Sequence, residues 1–304
     1  MSRVVICGSL NMDVVVQSAR LPERGETILG AEVSFLPGGK GLNQAIASAR
    51  LGVPTAMVGA VGNDAFANSL RGFLADNDVD STSVTEVEGP ATGVALIQVA
   101  DGDNSITVAS GANMHFDASM LHHEPQHDEV WVAQFETPLA ATQEILSRAH
   151  TAGARTVLNL APFAEHPVDL MKSVDVAVLN EIELSQATGA RLDASSSQDS
   201  VVAACNILRD RGARAVIATL GARGAIVVTA TGVDAIPAFP TKVADTTGAG
   251  DCFVGALASQ LAVGRTPSEA ARFASAAASC SVEKLGAAPA MPTDREVAAR
   301  LAKA

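Results

Sequence analysis

ADTTGAGDCFVGAL, residues 244–257, joins a glycine-rich turn to an apolar helical segment and places a carboxylate, Asp251, at the junction. Gly248, Ala249 and Gly250 are small, so backbone amides here can approach a ligand closely. The start of the following helix carries partial positive charge, which favours a bound anion. The pattern predicts an anion hole formed by residues 248–250, with Asp251 beside it.

Asp251 in this position can be a helix cap, a metal ligand or a base. A cap contributes about 1 kcal/mol and needs no pair of glycines before it. A base would take the proton of a substrate hydroxyl that attacks a phosphate held by the amides, a reaction in which positioning dominates. A base for phosphoryl transfer is therefore one role that this position allows, and the rest of the sequence must decide between the three.

Outward from this stretch, apolar strand-like runs alternate with helical stretches along the chain. The first of them are RVVICGS (3–9), KGLNQAIASARLG (40–52), TAMVGAVG (55–62) and DAFANSLRGFLADN (64–77). Strands separated by helices of this length predict a mostly parallel sheet covered on both faces. The expected fold is a three-layer α/β/α sandwich in one domain, residues 1–304.

Two segments, at about 13–36 and 92–113, do not follow this alternation. The second, TGVALIQVADGDNSITVASGAN, contains two alternating strands around a polar Asp-Gly-Asp-Asn turn. Together the two segments predict a small β-sheet inserted at one end of the α/β domain.

Composition excludes several classes of function. The net charge of -12 argues against a nucleic-acid or anionic-membrane partner. The four cysteines lie in apolar stretches with no C-x-x-C pair, which predicts reduced, buried thiols in a cytoplasmic protein. No signal peptide or membrane-spanning apolar run is recognised. No Walker A motif is present. The first strand is not followed by G-x-G-x-x-G, which argues against a dinucleotide oxidoreductase.

Six motifs, in order along the chain, carry a resemblance to a known family. They are GSLNMD (8–13), PGGKGLNQA (37–45), QFET (134–137), LNEIE (179–183), TLGARG (219–224) and DTTGAGDCFVGAL (245–257). The chain resembles the ribokinase family, the PfkB-type carbohydrate kinases, over essentially its whole length. The resemblance implies a ribokinase-like fold whose small β-sheet is a lid, often paired with the lid of a second subunit.

The resemblance also implies roles for individual residues, besides Asp251 as base. The implied sugar ligands are Asn11, Asp13, Gly39, Lys40, Asn43, Glu136 and Asp251. The implied ATP contacts are Asn180, Thr219, Leu220, Gly221, Ala222, Arg223, Gly224, Gly250, Asp251 and Ser275. Asn180 and Glu183 would organise Mg²⁺ mostly through water, although the same pair also fits a helix capping box. A K⁺ site is implied at Asp245, Thr247, Ser281, Lys284, Gly286 and Ala290, mostly through carbonyl oxygens.

The expected activity is transfer of the ATP γ-phosphate to the primary hydroxyl of a pentose, D-ribose at O5, by a homodimer paired through the lid. Deoxyribose, a ketohexose or a nucleoside are alternative acceptors, and the few aromatic residues in the β appendage argue against a nucleoside. A non-catalytic sugar-binding regulator is the alternative of another class. Asp251 argues against it, because a pure binder has no use for a base.

Overall fold

The computed structural model describes residues 2–100 and 103–303. The strands found there are β1 (Val4–Cys7), β2 (Asn11–Gln17), β3 (Glu32–Gly38), β4 (Thr55–Val61), β5 (Val79–Glu86), β6 (Gly93–Ala100), β7 (Asp103–Ala109), β8 (Val130–Ala133), β9 (Arg155–Asn159), β10 (Val176–Asn180), β11 (Ala215–Thr219), β12 (Ala225–Val228) and β13 (Val233–Ile236). The α-helices are α1 (Lys40–Arg50), α2 (Ala65–Asp76), α3 (Leu139–Thr151), α4 (Glu181–Thr188), α5 (Gln198–Asp210), α6 (Ala249–Ala262), α7 (Pro267–Ser281) and α8 (Asp294–Leu301).

Nine strands form the main sheet, in the order β13-β12-β11-β10-β9-β8-β1-β4-β5. The seven strands from β11 to β5 pair in parallel, and β12 and β13 are added antiparallel at one edge. This arrangement confirms the predicted, mostly parallel α/β fold.

Helices cover both faces of this sheet, as alternate residues of β1 show. Val4 and Ile6 belong to a core cluster that includes residues of α1, α6 and α7. Val5 and Cys7 point the other way, into a cluster with Ile145 of α3. Period-two burial of this kind is what a strand between two helical layers requires.

The second sheet, which is built from β2, β3, β6 and β7, lies apart from the main sheet. Its order is β3-β2-β6-β7, with β2 antiparallel to β3 and parallel to β6. The two strands predicted within 92–113 are confirmed as the antiparallel pair β6 and β7. Residues 101 and 102 of the predicted turn lie outside the described residues.

Among the strands and α-helices described, the sequence pattern did not predict the edge strands β5 and β13 or the C-terminal helix α8. Between β9 and β10 the chain passes through a 3₁₀ turn at Val168–Ser173 rather than an α-helix. Over the residues described, no helix combines the length and the apolar character needed to cross a membrane.

Candidate active site

Asp251 lies at the start of α6, but its side chain does not cap that helix. Gly248 is the N-cap residue, with a left-handed φ of 73° that favours glycine. The Asp251 side chain instead accepts hydrogen bonds from two amides of α1: Asn43 Nδ2 donates to Oδ2 at 2.9 Å, and Gln44 Nε2 donates to Oδ1 at 3.1 Å. The Asp251 carboxylate is therefore not a helix cap. The residue is buried, with 7% of its surface exposed.

Close packing of α1 against α6 makes these hydrogen bonds possible. At Gly255, one turn beyond Asp251, an added Cβ would lie 2.4 Å from the backbone oxygen of Gln44 and 2.7 Å from Ala47 Cβ. Only glycine lets the two helix backbones approach this closely. The glycine thus brings the side chains of α1 within reach of Asp251.

A cavity of about 220 Å³ opens in front of Asp251, at the carboxyl ends of β10 and β11 and the start of α6. In an open parallel sheet this is the edge at which ligands bind. Among its lining residues are Lys40, Asn159, Asn180, Glu183, Thr219, Gly248, Ala249, Gly250 and Asp251.

The three small residues predicted as the anion hole all line this cavity. The Ala249 amide donates to the Thr246 carbonyl oxygen at 3.2 Å. The first amides of a helix have no acceptor within the helix. Within the described residues, the amides of Gly248, Gly250 and Asp251 donate to no protein acceptor, so these three are left for an anion.

Lys40 provides positive charge at the cavity wall and lies among three carboxylates. Asp251 raises the pKa of Lys40, burial opposes this shift, and Glu136 and Glu183 raise the pKa further. The backbone amide of Lys40 donates to Glu136 Oε2 at 3.2 Å, and Ser9 Oγ donates to the same oxygen. The positive charge of Lys40 therefore interacts with both Asp251 and Glu136, which follows β8.

Asp13 and Asn11 occupy the first residues of β2, next to this group. Burial raises the pKa of Asp13 to about 7, and the carboxylates of Glu136 and Asp251 add to the shift. The Asp13 side chain lies over Gly38 of β3, where an added Cβ would come within 2.2 Å of Oδ2. Asn11 Oδ1 accepts a hydrogen bond of 2.8 Å from Asn113 Nδ2.

A second cavity, of about 590 Å³, adjoins the first and shares Thr219, Thr246, Ala249 and Gly250 with it. Six of the predicted ATP contacts line it: Thr219, Gly221, Ala222, Gly224, Gly250 and Ser275. Its walls also carry apolar side chains, including Phe239, Val243 and Phe253. An apolar recess joined to a polar one suits a ligand with an aromatic part and a charged tail.

Two predicted ATP contacts lie away from these cavities. Leu220 is buried in the core under β11. Arg223 forms an ion pair with Glu181 and donates to the Ser196 carbonyl oxygen at 2.9 Å.

Asn180 and Glu183 form a capping box at the start of α4 and also line the first cavity. Asn180 N donates to Glu183 Oε2 at 2.8 Å, and Glu183 N donates to Asn180 Oδ1 at 2.9 Å. Burial raises the pKa of Glu183. The described residues contain no group of three or more His, Cys, Asp or Glu side chains that could hold a metal ion. A single carboxylate fits Mg²⁺ that keeps most of its waters.

Hydrogen bonds of Asp245 join three of the six residues predicted for K⁺. Asp245 Oδ1 accepts from Thr247 N at 2.9 Å, and Oδ2 accepts from Gly286 N at 2.9 Å, which joins two loops. Burial raises the pKa of Asp245, but these hydrogen bonds lower it below its usual value. Ser281 Oγ donates to the Ala278 carbonyl oxygen, and Lys284 Nζ pairs with Glu296 at 2.6 Å. Ala290 ends a 3₁₀ turn, Ala288–Ala290.

Several buried polar residues of the site were given no role from the sequence, namely Ser9, Gln44, Asn113, Gln134 and Asn159. Ser9, Gln44 and Gln134 lie within motifs that carry the family resemblance. For Asn159 the signal is a neutral polar residue within an apolar strand pattern.

Comparison with known proteins places the chain in a family. A model described as pfkB family carbohydrate kinase matches residues 1–294. The chain is 34% identical to the ribokinase of Haemophilus influenzae over 297 residues, which covers 96% of each chain. It is 34% identical to the ribokinase of Bacillus subtilis over 301 residues, which covers 98% of each.

A solved structure agrees with this assignment. The ribokinase of Arabidopsis thaliana complexed with ribose and ATP aligns with a TM-score of 0.91 and 32% identity over 99% of each chain. This chain therefore belongs to the pfkB family of carbohydrate kinases.

Proposed function

We propose that this chain is an ATP-dependent ribose kinase, which transfers the γ-phosphate of ATP to O5 of D-ribose. The observation that carries the proposal is the position of Asp251 on the wall of a polar cavity that opens into a larger, more apolar one. The similarity to ribokinases over nearly the whole chain supports the choice of ribose.

The sugar would lie between Asp251 and the start of β2, held by Asn11, Asp13, Gly39, Lys40, Asn43 and Glu136. An ionised carboxylate such as Asp13 can accept from two neighbouring hydroxyls. Asn43 Oδ1 is buried and has no hydrogen-bond partner within the described residues. A sugar hydroxyl in this place would satisfy that acceptor.

In the chemical step Asp251 accepts the proton of the primary hydroxyl as its oxygen attacks the γ-phosphorus. The bond from the γ-phosphorus to the β,γ-bridging oxygen breaks, and ADP leaves. The amides at the start of α6 and the ammonium group of Lys40 would stabilise the charge of the group in transfer. Mg²⁺, held mostly through water by Asn180 and Glu183, would neutralise phosphate charge.

A K⁺ site beside the anion hole stays a prediction, supported by the hydrogen bonds that join Asp245, Thr247 and Gly286. The predicted cytoplasmic location is supported by the state of the four cysteines, which are free and buried.

The second sheet would act as a lid that closes over the sugar and excludes water, which otherwise competes as acceptor. One face of this sheet carries Asp13, Ala95 and Ile97, which are buried. The opposite face exposes Val33, Phe35 and Leu96. An apolar face of this kind fits the same face of a second copy of this chain, as the predicted homodimer requires.

A panel of acceptors tests the proposal. The purified chain with MgATP is given D-ribose, 2-deoxy-D-ribose, D-fructose and a nucleoside, each with and without K⁺. ADP release gives kcat/KM, and ³¹P NMR locates the new phosphate. We expect D-ribose to have the highest kcat/KM and to be phosphorylated at O5. A higher value for another acceptor, or ADP release that no acceptor stimulates, would contradict it.

A further inference from the structure

Beneath the floor of the first cavity, three buried amides form a cluster in contact with Asp251: Gln44, Gln134 and Asn159. We infer that Gln44 is a positioning residue that fixes the orientation of the Asp251 carboxylate for proton transfer. This inference rests on the proposed function, because it concerns how the base is held.

The hydrogen bonds of Gln44 define the direction of its amide. Gln44 Nε2 donates to Asp251 Oδ1 at 3.1 Å and to Asn159 Oδ1 at 3.2 Å. Gln44 Oε1 accepts from Gln134 Nε2 at 2.6 Å. An ionised carboxylate offers only acceptors, so the NH₂ group of Gln44 must face Asp251.

The cluster itself is held in place from the main sheet. Gln134 directly follows β8, and its Oε1 lies over Gly8, where an added Cβ would come within 1.9 Å and displace the amide. Asn159 ends β9 and donates to the Val178 carbonyl oxygen of β10 at 3.2 Å. Gln44 and Gln134 are both fully buried. The amide that faces Asp251 is thus anchored to three neighbouring strands.

Asn43 and Gln44 each donate a hydrogen bond to a different oxygen of the Asp251 carboxylate. Asn43 holds Oδ2 and Gln44 holds Oδ1, so two successive residues of α1 set the plane of the group. Without the Gln44 donor, only the hydrogen bond from Asn43 to Oδ2 restrains rotation of the carboxylate. A catalytic group displaced by about 1 Å can lose on the order of 100-fold in rate.

The first test is Gln44→Met, which keeps the length of the side chain and removes the donor. We expect kcat to fall between about 10- and 100-fold, with the KM values of ATP and sugar nearly unchanged. Ser48→Ala is the matched control, because Ser48 lies one turn along α1, is fully buried and accepts from Thr55 Oγ1 at 2.9 Å. Its kcat should stay at the wild-type value even where its melting temperature falls.

Gln44→Glu provides a second variant that keeps the acceptor for Gln134. Its carboxylate repels that of Asp251 at alkaline pH, whereas its protonated form regains a donor. The ratio of its kcat to that of the wild type should therefore rise as the pH falls. A ratio independent of pH, or a wild-type kcat in folded Gln44→Met, would overturn the inference.

A third comparison separates this inference from the proposed function. If Asp251 is the base, Gln44→Met should have no further effect on the residual turnover of Asp251→Asn, since the two residues act as one unit. Loss of activity in Asp251→Asn together with full activity in Gln44→Met would leave the proposed function intact and remove only the role of Gln44. Full activity in Asp251→Asn would remove the base role of Asp251 and the role of Gln44, whereas a wild type that does not phosphorylate ribose would remove the proposed function itself.

Discussion

Asp13 illustrates how function competes with stability at the level of one residue. It is 9% exposed, and burial together with the nearby carboxylates of Glu136 and Asp251 raises its pKa from 3.8 to about 7. The proposed role of Asp13 in binding the sugar therefore needs a charged carboxylate in a place where folding favours the neutral form. The charged form of Asp13 lowers the free energy of unfolding at the pH at which sugar binding would require it.

Asp13→Asn should reverse this effect. The folded-state pKa is raised, so the wild type is most stable below the unfolded pKa of 3.8 and loses that stability as the pH rises through about 7. Relative to the wild type, Asp13→Asn should gain stability above pH 7, by at most roughly 4 kcal/mol, and this gain should shrink towards pH 4. Urea unfolding at a series of pH values measures it. A gain that grows as the pH falls would contradict the assignment.

The same residue predicts the pH dependence of the reaction. The protonated carboxyl accepts fewer hydroxyl groups, so kcat/KM for the sugar should fall as the pH drops below about 7. This loss should be absent from the profile of Asp13→Asn, whose kcat/KM is low throughout. If kcat/KM of Asp13→Asn falls at low pH as it does in the wild type, a group other than Asp13 causes the loss.

Single residues also mark what the sequence could and could not predict. Asp251 and Lys40 were predictable, because each interrupts a glycine-rich segment where a charged side chain has no packing role. Gln44 was not, since an amide on a helix is usually read as solvent-exposed. Its burial depends on Gln134 and Asn159, which come from distant strands.

At the level of elements, the contact between α1 and α6 holds the site together. Gly255 allows this contact, because an added Cβ would lie 2.4 Å from the Gln44 backbone oxygen. The two helices carry Asp251 and both of its hydrogen-bond donors. A small separation of the helices would therefore displace the Asp251 carboxylate directly.

Gly255→Ala should lower the free energy of unfolding by about 1–3 kcal/mol, the usual cost of overpacking, and should lower kcat as well. Gly72→Ala is the control, because Gly72 lies within α2 and an added Cβ meets nothing within 4 Å. That variant should gain about 0.5–1 kcal/mol from the higher helix propensity of alanine. Urea unfolding compares the two. A stabilised Gly255→Ala would show that the helices tolerate separation.

The sequence predicted elements best where burial is strong. The buried strands β1 and β4 read as continuous apolar runs, and the amphipathic α1 and α2 lie close to their predicted bounds. Strand β5, VDSTSVTE, has no such run, because it is at the edge of the sheet and mixes buried with exposed positions. The pairing of β5 with β4 depends on contacts within the assembled sheet, and a local sequence pattern carries no information about these contacts.

The whole molecule consists of a large α/β body and a second sheet, joined where β2 and β6 begin. Asn113 stabilises this junction by two hydrogen bonds. Its Oδ1 accepts from Leu10 N at 2.9 Å, and its Nδ2 donates to Asn11 Oδ1. The face of the second sheet opposite Asp13 exposes Val33, Phe35 and Leu96, and the Phe35 ring lies 6.0 Å from that of Phe66 in α2. This face is where the proposed dimer would form.

Leu96→Asp should therefore shift the protein from dimer to monomer, because a charge on this face would be buried at the interface without a partner. Light scattering after size exclusion measures the mass against the 30.9 kDa of one chain. Ile207→Asp, which makes the same change at a half-exposed position of α5, should stay dimeric. A monomeric wild type at the highest concentration tested would exclude the dimer.

The most direct test of the account is the turnover of Asp251→Asn. The variant keeps the shape of the side chain and removes the base. We expect D-ribose and ATP to bind, by calorimetry, while ribose-dependent ADP release falls between about 100- and 10,000-fold. An Asp251→Asn enzyme that phosphorylates ribose at the wild-type rate would contradict the role of Asp251 on which the account rests.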